Sequence, residues 1–255
     1  MNGFSALLIT LLLLCSSLAN AQPLRIVTEK LPPFQYAHED GVITGAMADI
    51  VNLLLVKTDI DAKIEILPWA RSYQIALERD NTLIFSMLRG AEREDKFIWV
   101  GKLFAIKSYL VALKNNKGIK VNSIDDAKKY SVGSIRQDLA ETYLRNKGFV
   151  ENKNMYLSSD YQVLWHMLYS KRTDLAFTNN ILWKYEIADA DLDPSQVGIV
   201  YQIPDIASDL YLAASLGTDK KLIEQLQNAL EDIKSNGQYQ RILQKWQLVT
   251  TLHSE

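Results

Sequence analysis

Cysteine is nearly absent from this 255-residue chain: the only one is Cys15. A lone cysteine cannot close a disulfide within the chain, so the fold must rest on its core. Histidine is scarce too, with three residues, and no His/Cys/Asp/Glu group has the spacing of a metal site. The 11 glycines form no Walker loop, dinucleotide fingerprint or nucleophile elbow. No cofactor and no metal is therefore expected. Neither charge sign dominates: 28 basic and 30 acidic residues leave a net charge of −2. That balance excludes the electrostatic footprint of a nucleic-acid partner or an anionic bilayer surface. Beyond the N-terminal segment no stretch is apolar for long enough to span a membrane.

What is present starts at the N-terminus. "MNGFSALLITLLLLCSSLANAQ" is apolar from about Phe4 to Leu14 and closes on Ala19-Asn20-Ala21. It reads as a signal peptide over residues 1–21, cleaved after Ala21, although no Lys or Arg precedes the apolar core. Lipidation at Cys15 is the alternative, but Leu14 stands before it, where a small residue is expected. Cleavage after Ala21 predicts a periplasmic, cysteine-free mature chain from Gln22.

From there strand-like and helix-like segments alternate, which predicts an α/β fold. "LRIVTE" reads as a strand and "LPPFQY" as a loop, because two prolines forbid helix. "GAMADIVNLLLVKT" has apolar residues at helical spacing. "AKIEIL" and "TLIFSML" are strands around the helix "WARSYQIALERD". A second set runs from "YSVGSI" through "TDLAFT" to "VGIVYQI". The C-terminal "DKKLIEQLQNALEDIKSNG" carries an apolar stripe of Leu222, Ile223, Leu226, Leu230 and Ile233, with Gly237 as its stop.

Arg89 and Arg93 lie where "TLIFSML" gives out. They are either solvated charges neutralised by Glu92, Glu94 and Asp95, or a fork aimed at an anion. Arg71 opens a helix, where a cation opposes the helix dipole and calls for a partner. Trp69 beside it suits either stacking on a ligand or core packing. Phe34 fits the core or a cleft wall. "SIRQDLAET" joins a strand to a helix, with Asp138 placed as N-cap. Arg136 either reaches into a binding cleft or pairs with Asp138 or Glu141.

Several of these segments, in order, resemble the family 3 periplasmic solute-binding proteins, the amino-acid-type receptors of ABC importers. The similarity is carried by "LRIVTEKLPPFQY…GVITGAMADIVNLL", "GAEREDKFIWVGKLF", "YSVGSIRQD", "SKRTDLAFTN" and "LIEQLQNALEDIKSNGQYQRILQKW". It implies a type II periplasmic binding protein fold with two α/β lobes and two hinge crossings. Lobe one would be 22–107 plus 209–255, lobe two 112–204, and the hinge 107–111 and 204–208. The ligand would lie between the lobes, where small-molecule sites concentrate. By the same resemblance Arg93 would grip the ligand's carboxylate and Glu29 would face the ligand, unless it is a solvated strand end. Asn179 would stand where the family has an Asp that holds the α-ammonium.

The expected function is capture of a small polar, carboxylate-bearing solute, an organic anion or amino-acid-like molecule, and delivery to an ABC permease of the inner membrane. The protein is expected to be a monomer and not an enzyme. Asn179 in place of the family's Asp, together with Arg71, Arg89, Arg93 and Arg136, predicts a cleft more positive than an amino-acid site, one that binds ordinary α-amino acids poorly. Two alternatives remain: an enzyme of the cyclohexadienyl dehydratase type, and an orphan sensory receptor. The former needs an acid in the cleft, and lobe two offers Thr178-Asn179.

Overall fold

The computed structural model describes residues 23–38 and 40–248. The leader, Cys15 included, lies outside the described residues. Twelve strands follow in chain order: β1 Arg25–Thr28, β2 Tyr36–Ala37, β3 Ile43–Thr44, β4 Ile64–Ile66, β5 Thr82–Leu88, β6 Ile98–Ala105, β7 Ser108–Leu113, β8 Val132–Ile135, β9 Met155–Ser158, β10 Leu175–Asn179, β11 Val197–Ile203 and β12 Asp209–Ala214.

Ten of them build two five-stranded sheets, in the orders β4-β1-β5-β12-β6 and β11-β7-β10-β8-β9. The two orders repeat one plan. Three parallel strands stand side by side, and an antiparallel strand follows them (β12 against β5 in the first sheet, β7 against β10 in the second). Each of these antiparallel strands directly follows a crossing between the sheets. The chain passes from β6 to β7 at Ile106–Lys107 and returns from β11 to β12 through 204–208. Residues 108–111, expected in the first connection, are instead the start of β7 and pair with β10.

Helices α1 (Ala46–Thr58) and α2 (Trp69–Glu78) belong to the first lobe, with α7 (Lys220–Ser235) and α8 (Gln238–Lys245) added by the returning chain. The apolar stripe of α7 supplies Ile223, Leu226, Leu230 and Ile233 to the core that holds Leu54 and Leu103. Gly237 ends this helix at φ 80°, a conformation that favours glycine. Gly45 precedes α1 at φ 121°, and a Cβ there would meet the Phe34 carbonyl oxygen at 2.4 Å. Phe34 is fully buried in this core, edge-on to Phe104 at 5.2 Å. It is therefore a packing residue of lobe one rather than a wall of the cleft.

The second lobe carries α3 (Ile124–Ala127), α4 (Leu139–Asn146), α5 (Tyr161–Tyr169) and α6 (Trp183–Asp189). Among the described residues no helix is long and apolar enough to cross a membrane.

Candidate ligand-binding cleft

In α/β sheets ligands gather beyond the carboxyl ends of the strands, and here those ends face one another across the crossings. Glu29 follows β1, Arg93 lies in the 3₁₀ turn Ala91–Lys96 after β5, the turn 136–138 follows β8, and Asn179 ends β10. Two cavities lie between the lobes. The inner one, of about 50 Å³, is lined by Glu29, Trp69, Ser86, Asp138, Tyr161 and Asn179 among others. The outer one, of about 270 Å³, shares Glu29, Trp69 and Tyr161 and adds Glu186 and Asp189.

Arg93 is the buried cation of the site, with 3 % of its surface exposed. Its guanidinium lies 5.1 Å from the Trp69 ring centre and 5.0 Å from that of Tyr73. Two aromatic faces thus compensate part of its lost hydration. It donates to the Leu88 carbonyl at 3.1 Å and, across the cleft, to the Gln137 carbonyl at 3.4 Å. Its nearest carboxylate oxygens, on Glu92 and Asp138, stand at 3.7 and 3.9 Å, beyond hydrogen-bond reach. A guanidinium has five N–H donors, so this fork retains capacity for a bidentate carboxylate.

Gln137 was not singled out by the sequence, yet it joins the lobes. Its carbonyl also accepts from Trp69 Nε1 at 2.9 Å. Gln137 holds a left-handed φ of 60°, uncommon for a residue with a Cβ. Its N–H donates to Glu141 Oε2 at 2.6 Å, which fixes the turn that aims the carbonyl. Gly90 allows the lobes to meet here: a Cβ would come within 2.8 Å of Leu139 Cδ1 from lobe two.

The other arginines sit elsewhere. Arg71 is exposed and lines neither cavity. Arg89 is ion-paired with Glu94 and stacks on Trp99 and Tyr211, each 5.2 Å away. Arg136 is exposed and bonds Glu151 at 3.0 Å. The expectation of a positive cleft is corrected accordingly: none of the four arginines lines either cavity, Arg93 lying buried at the lobe junction beside Trp69 and Asp138, whereas Glu29, Asp138 and Glu186 line them. Arginine's reach lets it find carboxylates on the surface, and sequence gives no hint which partner it takes.

These three carboxyls crowd one another where hydration is poor. Burial pushes Glu29 well above the usual carboxylate range; Asp138 and Glu186 add repulsion, and Arg93 opposes the rise. Asp138 is raised as well, chiefly by burial, against the pull of Arg93 and of the Leu139 N–H that it caps at 2.6 Å. Burial also pushes Glu186 up to about 8, against the hydrogen bond from Trp165. Tyr161 is driven above its ordinary value by burial and by Glu29.

Asn179 Oδ1 accepts from the Ile181 and Leu182 N–H groups at 3.1 and 3.0 Å, so it organises the entry to α6 while lining the inner cavity. Behind Glu29, Ser86 Oγ donates to Gln35 Oε1 at 2.8 Å, and Gln35 Nε2 donates to Thr28 Oγ1 and the Glu29 carbonyl at 3.0 and 3.2 Å. This chain ties the proline loop to β5 and fixes the backbone under Glu29. Among the described residues no cluster could hold a metal ion.

Two lobes that close on a polar, partly charged cleft define a small-molecule clamp. The sequence matches the family described as bacterial extracellular solute-binding proteins, family 3, over residues 24–249, and the chain belongs to that family. It is 25 % identical over 240 residues to an arginine-binding periplasmic protein of Mannheimia haemolytica, covering 94 % of this chain and 97 % of the relative. Among solved structures, an ancestral arginine-binding protein bound to arginine superposes with a TM-score of 0.75 at 22 % identity, covering 88 % of this chain and 97 % of the other. A histidine kinase sensor domain similar to periplasmic binding proteins gives 0.77 at 16 % identity, covering 88 % and 96 %.

Proposed function

We propose that the protein is a periplasmic receptor that captures an amino-acid-type solute between its lobes and presents it to an ABC-type importer. The observation that carries this is Arg93: a buried guanidinium, packed beside two aromatic rings at the junction of the lobes, whose fork has no carboxylate within hydrogen-bond distance. A solute carboxylate satisfies it in a bidentate way, and the facing carboxyls accept the solute's ammonium. A dipolar solute matches this cleft better than a simple anion, because Glu29, Asp138 and Glu186 supply the acid that Asn179 does not, so the poor binding of amino acids expected from Asn179 and the arginines is withdrawn. Solute bound to both lobes stabilises the closed form over the open one.

The test is titration calorimetry of the mature protein with the twenty amino acids, on wild type and Arg93→Ala. Binding by one or more amino acids, weakened roughly 10- to 100-fold in the variant, is expected. Wild-type affinity in Arg93→Ala, or no binding at all, overturns the proposal.

One observation favours a second reading. Glu29 is a carboxyl that burial in the cleft pushes well above the usual carboxylate range, the direction a general acid needs. Incubation with prephenate or arogenate is expected to give no product; turnover that vanishes in Glu29→Gln would establish the enzyme instead.

A further inference from the structure

The outer cavity contains a group that carboxylate anchoring does not use. Glu186 projects from α6, with 3 % of its surface exposed. Its Oε2 accepts a hydrogen bond from Trp165 Nε1 at 3.1 Å. Its Oε1 is buried and has no partner. An orphaned buried carboxyl oxygen costs stability, so its retention on a cavity wall calls for a function. The same cavity has Glu29 and Asp160 on its walls and the rings of Trp69 and Tyr161. Its one basic residue is Lys30, already bound to both oxygens of Asp189 at 2.7 Å. Acid and aromatic faces without a free base are the surroundings an organic cation selects.

We propose that the outer cavity is a subsite for the cationic end of the solute, an ammonium or guanidinium group, with the buried Glu186 carboxylate as its acceptor. This rests on the amino-acid reading above and extends it: Arg93 takes the carboxylate, and Glu186 takes a positive side chain. The 270 Å³ of space suits a side chain of that kind.

The surroundings of Glu186 add a consequence. Trp165 of α5 donates to it, while the carboxyls of Asp138 at the start of α4, Asp189 on its own helix and Glu29 after β1 repel its charge, and Lys30 is neutralised by Asp189. Glu186 therefore holds a proton near neutrality without a cation. The arriving cation displaces it: the O–H bond breaks, the carboxylate pairs with the cation, and the proton leaves to buffer. Affinity for a cationic solute thus rises with pH between about 6 and 8.

The experiment compares arginine with citrulline and lysine with norleucine, each pair alike in shape but differing in side-chain charge. Calorimetry in two buffers of unlike ionisation enthalpy reads proton release. Wild type is expected to bind the cationic member at least tenfold tighter and to release protons on binding. Glu186→Gln should bring the ratio near one and abolish the release. Equal affinities within each pair, or no proton release in wild type, overturn the proposal; the second measurement needs no variant, so a folding failure of Glu186→Gln does not shield it. If paired ligands bind equally and Arg93→Ala still abolishes both, the subsite falls while the amino-acid receptor stands. If neither pair binds, the subsite falls.

Discussion

The two faces of the cleft are built from opposite chemistry. Lobe one brings a cation and aromatic rings, Arg93 beside the stacked Trp69 and Tyr73, with Glu29 as its one acid on the cavity walls. Lobe two brings acids and a carbonyl: Asp138, Glu186 and the Gln137 oxygen. The lobes already match one to the other, through Trp69 and Arg93 to Gln137 and Lys30 to Asp189. Closure is thus partly self-complementary. A solute gains most by carrying both charges, its carboxylate toward lobe one and its positive groups toward lobe two.

Removing the aromatic side of this comparison should have the largest effect. Trp69 is 3 % exposed and joins the buried cluster that includes Phe97, Ile135 and Trp165. Trp69→Ala should cost about 3–5 kcal/mol of stability, read by denaturant unfolding. Trp69→Phe keeps an aromatic face but removes the bond to Gln137, for a loss of about 1 kcal/mol. Equal losses for the two would mean that the indole N–H, not the ring, is what matters.

Removing the cation comes next. Arg93→Ala should weaken the bound amino acid by about 1.5–3 kcal/mol, roughly 10- to 100-fold. Arg93→Lys should recover only part, because an ammonium cannot reproduce the planar fork. Full recovery by Lys would reduce the anchor to a point charge.

How much of this was visible in the sequence differs between the faces. The helix expected over 45–58 is Ala46–Thr58, and the strand "TLIFSML" is β5, because apolar periodicity and flanking glycines act locally. Arg93 could be singled out because a local motif surrounds it. Arg71, Arg89 and Arg136 could not be told from it, since their partners or surroundings are set by folding: Glu151 lies 15 residues from Arg136. Glu186 was missed altogether. The signal was a carboxyl inside the apolar helix "WKYEIAD", one turn after Trp183, but only tertiary packing sets Trp165 against it. The acids of the cleft, Glu29, Asp138 and Glu186, also come from three separate elements, which no spacing rule joins.

The acid face should show itself in the pH dependence of stability. A carboxyl whose folded-state value is raised makes the folded protein bind more protons than the unfolded chain. Stability is then lost as pH rises from the ordinary value of 4.5 toward about 8 for Glu186. The ligand-free Tm should fall by several degrees between pH 5 and 8.5, and Glu186→Gln should flatten that slope. An unchanged slope in Glu186→Gln would move the titration to Glu29 or Asp138, whose values are raised as well.

The smallest effect should come from the outer rim, where the two faces meet in water. Lys30 and Asp189 hold each other at 2.7 Å, but their side chains remain 46 % and 32 % exposed. Exposed pairs contribute about 0–1 kcal/mol, because solvent screens them and ordering two side chains costs entropy. Lys30→Met should therefore leave the unfolding free energy unchanged within about 0.5 kcal/mol. The pair nevertheless spans the lobes, so its energy acts wholly on the balance between open and closed. A shift of a few tenths of a kcal/mol is visible there if the two forms are close in energy. Solution scattering of ligand-free Lys30→Met should show a larger radius of gyration than wild type, with the difference removed by ligand and reduced by salt in wild type. A scattering profile identical to wild type at low salt would mean that closure is held by Trp69 and Arg93 alone, and that the charged rim only guides the approach of the solute.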